Sequence, residues 1–85
     1  MATPTITGAR WEEPQTLVIV RQGGAVKTVN AKAVLAGGHK YCWLDVDHER
    51  DEVLVHSCPK SNQAPTTTHI FSASGGSKGS RAYKP

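Results

Sequence analysis

Cysteine is scarce in this sequence, at two residues in 85, and so are aromatic side chains, at five. Two cysteines are too few for the disulfide framework of a small secreted scaffold, so free thiols in a cytoplasmic protein are the expectation. Long apolar stretches are missing as well. The longest unbroken aliphatic run is Leu17-Val18-Ile19-Val20, far short of the ~20 residues a membrane-crossing helix requires. Residues 1–8 have neither a basic start nor an apolar segment, so neither a secretory signal nor a membrane partner is expected. The length itself allows one small domain and no second one. It leaves no room for a large built-in substrate cavity, and we expect a protein that is not an enzyme.

Acidic residues are absent from the last third of the chain. Residues 1–40 carry five Lys/Arg and two acids, residues 41–52 one Arg and five acids, and residues 53–85 four Lys/Arg and no acid. The formal net charge of +3 is therefore the sum of +3, −4 and +4. A basic excess alone points toward nucleic acid. A chain with its charges segregated suits equally well a partner carrying both signs.

The patterning predicts a mainly β fold. Residues 1–9 form an N-terminal arm, residues 10–72 a small β-rich domain, and residues 73–85 a basic Gly/Ser-rich tail. Within the domain, Pro14 keeps the preceding residue extended, and Trp11 packs at the domain edge. Residues 16–22 make the strongest strand, aliphatic and mostly β-branched, and Gly23-Gly24 turns it into a second strand over 25–29. A short helix of one to two turns follows, with Asn30 as its N-cap and Gly37 at its end. Too short to be stable alone, it must be pinned to the sheet by Val34 and Leu35.

Residues 39–46 and 52–57 form a second hairpin. With Glu49-Arg50 at the turn centre, Val46 faces Val53, Leu44 faces Val55 and Cys42 faces Ser57. Cys42, Leu44, Val46, Val53 and Val55 then make one core stripe, and Tyr41, Trp43, Asp45, Leu54, His56 and Cys58 share the other face. A slip of one residue would pair Cys42 with Cys58 and permit a disulfide, at the cost of scattering the stripe. Residues 66–71, anchored by Ile70 and Phe71, are a candidate fifth strand. From residue 57 on, 16 of 29 residues are Ser, Thr, Asn, Gly or Pro, the composition of a flexible end. The architecture expected is two hairpins joined by a short helix, curled into a half-open barrel or sheet.

Four constellations invite chemical readings. Asp45, Asp47, Glu49 and Asp51 match alternate positions of a calcium loop, but Arg50 stands where that loop needs Gly and His56 where it needs a bidentate Glu. His39, Cys42, His56 and Cys58 are enough ligands for zinc in number, yet the register above points Cys42 away from the other cysteine. No metal or other cofactor is expected. Cys58 beside His56 is the one nucleophile–base pair, and it has no orienting third group or oxyanion hole. The Gly75–Arg81 stretch has phosphate-loop composition but only four residues after it, and so no helix to complete such a site.

What is left is an interaction surface. Tyr41, Trp43, Leu54 and His56 form an aromatic-centred patch, flanked by the acidic tip Asp45, Asp47 and Glu49 and by the basic end Lys78, Arg81, Tyr83 and Lys84. The expected function is a non-catalytic protein-binding module: a small regulatory or inhibitory protein, or a subunit of a larger assembly. The small core makes self-association a further expectation. The alternative is a small β-barrel binding RNA or single-stranded DNA through the same aromatics, the basic end and Lys27, Lys32 and Lys40. The acidic block beside the stacking residues opposes it.

Overall fold

The aliphatic run at residues 17–20 lies at the centre of a three-stranded antiparallel sheet, where alternate side chains can be covered from both sides. The computed structural model describes residues 6–84. Strands β1 (Ile6–Glu12), β2 (Thr16–Arg21) and β3 (Val26–Asn30) form this sheet in the order β1-β2-β3. Strands β4 (His39–Asp47), β5 (Glu52–Pro59), β6 (Thr67–Ser72) and β7 (Ser77–Ala82) form a second sheet in sequence order, with every neighbouring pair antiparallel. The domain is thus mainly β, as its patterning predicts. It consists of two sheets sharing one core, and the barrel is not closed.

Leu17 and Ile19 of β2 meet Val53 and Val55 of β5, Phe71 of β6 and Ile6 of β1 in that core. Val18, on the opposite face of β2, is also buried. The segment between the sheets, Lys32–Gly38, is a 3-10 helix broken at Ala36 and Gly37, and it drives Val34 fully into the core. Asn30 Oδ1 accepts the Lys32 N–H at its start, and Gly37 and Gly38 supply the positive φ at its end. Trp11 of β1 lies flat against Tyr41 of β4, with ring centroids 4.6 Å apart and an interplanar angle of 4°. This stack ties the two sheets together at one edge.

Two segments expected to lie outside the sheets are strands. Of the expected arm at residues 1–9, residues 1–5 lie outside the described residues and the rest belong to β1, residues 6–12, with Ile6 fully buried. Its alternation of Ile6, Ala9 and Trp11 is disguised by a register shift between Ile6 and Gly8. Residues 77–82, expected to be a flexible tail, form β7, whose six residues are all exposed. Backbone pairing to β6 holds this strand, together with a tight turn in which Ser72 N–H donates to the Gly76 carbonyl. Beyond it, the Tyr83 N–H donates to the Thr66 carbonyl at 3.0 Å.

The register of the β4–β5 hairpin combines two alternatives that the sequence presents as exclusive. Val46 pairs with Val53 and Leu44 with Val55, as the aliphatic stripe requires. Between Tyr41 and Trp43 the pairing shifts by one residue, so that Tyr41 faces Ser57 and Lys40 faces Cys58. The extra residue is Cys42, a β-bulge. Cys42 is not part of the core stripe. It is disulfide-bonded to Cys58, with Cα atoms 5.8 Å apart, and there are no free thiols. A bulge slips only the part of the strand beyond it, so the stripe and the bridge coexist.

Two stability measurements test this packing. The bridge closes a loop of sequence separation 16, so the double variant Cys42→Ser/Cys58→Ser is expected to lose about 3 kcal/mol in urea denaturation. Thiol titration of the native protein should find no reactive cysteine; two equivalents would refute the bridge. A Cβ on Gly75, where φ is +92°, would sit 2.8 Å from Val29 Cγ2 and 3.2 Å from Lys27 Cγ. Gly75→Ala should therefore cost roughly 1–3 kcal/mol. Gly76→Ala, whose Cβ meets only Ser72 Oγ at 3.5 Å, should cost much less.

Candidate functional site

The outer face of the four-stranded sheet is built by the even-numbered residues of β5 and β6 and by the end of β4 beyond the bulge. Cross-strand pairing sets Trp43 against His56, His56 against Thr68, and Thr68 against Arg81. Leu54 lies between Asp45 and Ile70 in the next row. Tyr83, two residues past Arg81, completes the cluster from the far edge.

His56 is the pivot of this face. Expected to be exposed, it is in fact buried, with 5% of its surface accessible. Its Nε2 lies 3.0 Å from Asp45 Oδ2 and its Nδ1 2.9 Å from Thr68 Oγ1. In the neutral ring, Nε2–H donates to the carboxylate and Nδ1 accepts from the threonine hydroxyl, so both nitrogens are satisfied. The carboxylate is well exposed while Thr68 is 2% exposed, so the hydroxyl end of the line is sealed inside. A carboxylate–imidazole–hydroxyl row of this kind suggests a proton relay. Here its oxygen faces no solvent, and its physical effect is to lock the plane of the imidazole.

Two aromatic rings pack against that locked plane. Trp43 is tilted against His56 at 5.8 Å, Tyr83 meets His56 edge-on at 5.0 Å, and Tyr83 meets Trp43 edge-on at 5.9 Å. Trp43 nevertheless stays 40% exposed, one of two large hydrophobic side chains on the surface of the described residues; the other is Val26. An indole held by two rings and still open to solvent is preorganised for contact.

The residues expected to form the surface divide into four groups. Trp43, Asp45, Leu54, His56, Arg81 and Tyr83 are brought together on this face, and Lys84 follows Tyr83, exposed. Tyr41 is not among them, because the bulge at Cys42 turns it to the core side, where it stacks on Trp11. Burial, reinforced by the Asp45 and Glu13 carboxylates, pushes its phenol above the ordinary pKa. Asp47 shapes the acidic turn: its Oδ1 accepts the N–H groups of Glu49 and Arg50, both at 3.1 Å, and Glu49 is exposed at the tip. Lys78 is ion-paired to Glu52 at the same end of the sheet as this turn, away from the aromatic cluster. Thr68 and Ile70 belong to the face as well; Ile70 stands out in the sequence only as an apolar anchor of the candidate strand at 66–71, and Thr68 not at all. Only the β5–β6 register, unavailable before β6 is placed, would have revealed them.

The alternative chemistries lose their reacting groups. Cys58 is fully buried and bonded to Cys42, so it supplies no thiolate to His56. Among the described residues, no three His, Cys, Asp or Glu side chains converge as a metal site would need.

Comparison of the chain with protein-family models, curated proteins and solved structures finds no match. The reading of this face rests on its own geometry.

The locked histidine gives a graded test. Thr68→Val preserves shape but leaves a buried ring nitrogen unpaired, and should cost about 1–3 kcal/mol in urea denaturation. Asp45→Asn, altering an exposed partner, should cost less than about 1 kcal/mol. Equal losses would show that the hydroxyl does not hold the ring.

Proposed function

We propose that this protein is a non-catalytic protein-binding module that docks a partner protein on the outer face of its four-stranded sheet. The observation that carries this reading is the half-exposed Trp43, fixed by His56 and Tyr83. Interface energy concentrates in a few rigid aromatic anchors ringed by polar groups, and this face has that layout. Asp45 lies on β4, at one edge of the sheet, with Asp47 and Glu49 beyond it. Arg81 lies on β7, at the opposite edge, with Lys84 beyond it. A complementary partner presents a pocket for the indole, basic groups toward β4 and acidic groups toward β7. Such a module acts as a small regulator, an inhibitor or an assembly subunit.

Nucleic acid is the less favoured ligand. The Asp45 carboxylate shares the face with Trp43, where phosphates would have to pass, and Lys78 is already neutralised by Glu52. The disulfide also changes the expected surroundings. Free thiols were the basis for placing the chain in the cytoplasm, whereas a bridge between sheet strands favours an oxidising compartment. Among the described residues no helix is long and apolar enough to cross a membrane.

Affinity capture with the wild-type protein and Trp43→Ala tests the reading. The variant should keep its circular dichroism spectrum and lose at least about 2 kcal/mol of affinity for the captured protein, roughly thirtyfold. Equal capture by both proteins, unfolding of the variant, or retention of nucleic acid alone with a steep salt dependence would each overturn it.

A further inference from the structure

At the end of the molecule that carries Lys78, three connections meet around a cavity of about 270 Å³: the end of β2, the β4–β5 turn and the β6–β7 turn. We propose that this cavity binds a small oxyanion, a phosphate or sulfate group. It is lined by Arg21, Arg50 and Lys78, by the hydroxyls of Ser72 and Ser74, and by a single carboxylate, Asp51.

The charges in the wall are not all open to a ligand. Lys78 is held by Glu52. Asp51 Oδ1 accepts the Ile6 N–H at 2.8 Å, which ties that carboxylate to β1. Two guanidiniums are left to set the sign of the space. Arg50 is largely exposed, and Asp47, the carboxylate it pairs with, is 3.9 Å away. Arg21 is half-buried. Its Nη1 donates to the Ala73 carbonyl at a long 3.4 Å, and its buried Nε has no hydrogen-bond partner among the described residues.

The Nε is closed to solvent, so a ligand in the cavity meets only the outer, Nη end of the guanidinium, beside the Ala73 carbonyl. An oxygen anion accepting from that end gains charge-assisted bonds. The serines add to the donor set. Ser72 Oγ accepts the Gly76 N–H and shares one hydrogen with Ser74 Oγ, 3.0 Å away, which leaves the pair a second hydroxyl hydrogen to donate. Donors then converge from β2, the β4–β5 turn and the β6–β7 turn, an arrangement that fits a tetrahedral anion better than a flat one. The volume accommodates a phosphate or sulfate group.

The test is a ¹⁵N–¹H NMR titration of the full chain with inorganic phosphate and with sulfate, ionic strength held constant with chloride. A parallel titration with glycerol phosphate distinguishes a free ion from a carried phosphate group. Saturable shifts are expected at the Arg21 side chain and the Ser72–Ser74 amides, lost in Arg21→Gln and weakened roughly tenfold in the exposed Arg50→Gln. Shifts that chloride reproduces, or that both variants retain in full, would overturn the proposal. Should Arg21→Gln fail to fold, Arg50→Gln and Ser74→Ala decide, and unchanged affinity in both would overturn it.

Discussion

One inserted residue in β4 governs the arrangement of the molecule. Without Cys42 as a bulge, strict alternation would carry Tyr41 and Trp43 to the same face. With it, Tyr41 turns inward to stack on Trp11 and close the gap between the sheets, while Trp43 turns outward toward His56 and Tyr83. The same residue supplies the sulfur that joins β4 to Cys58 on β5. Sheet–sheet adhesion, the covalent bridge and the outward aromatic face thus share one origin. A change in register there would disturb all three together.

The bridge and the buried polar row compensate for a thin core. Among the described residues ten hydrophobic ones are buried, alanine and cysteine among them, in a fold whose exposed loops and edges take up much of its length. Domains of this size have little stability to spare. Polar groups buried in such a core are costly unless paired, and buried His56 is paired on one side with Thr68 and on the other with Asp45. That network fixes the angle of the aromatic face from beneath.

How much of this was legible from the residues follows from which contacts are local. The aliphatic run of β2, the Gly23-Gly24 turn and the stripe of Leu44, Val46, Val53 and Val55 are written in near-neighbour patterning, and the structure follows them. Val34 likewise lands in the core, as a helix too short to stand alone demands. β1 escaped notice because a bulge breaks its alternation, and β7 because none of its side chains is buried. A uniform register allows either the disulfide or the stripe, and a register that changes mid-strand cannot be read from either segment alone. For the candidate site, Trp43, Asp45, Leu54 and His56 were legible as one face of a hairpin. Tyr41 was misassigned by the same alternation rule that placed the others. Thr68 and Ile70 enter the face only through pairing with a strand twelve or more residues away.

β7 separates the two tasks a strand usually performs together. Its backbone closes the larger sheet, while none of its side chains enters the core. Apart from Gly79, held at positive φ, and Lys78, paired to Glu52, its positions are free of packing constraint. Sequence can drift along this edge without endangering the fold. Arg81 and its neighbours can therefore change in charge and size at no cost to the core, and the strand amounts to a replaceable edge mounted on a fixed frame.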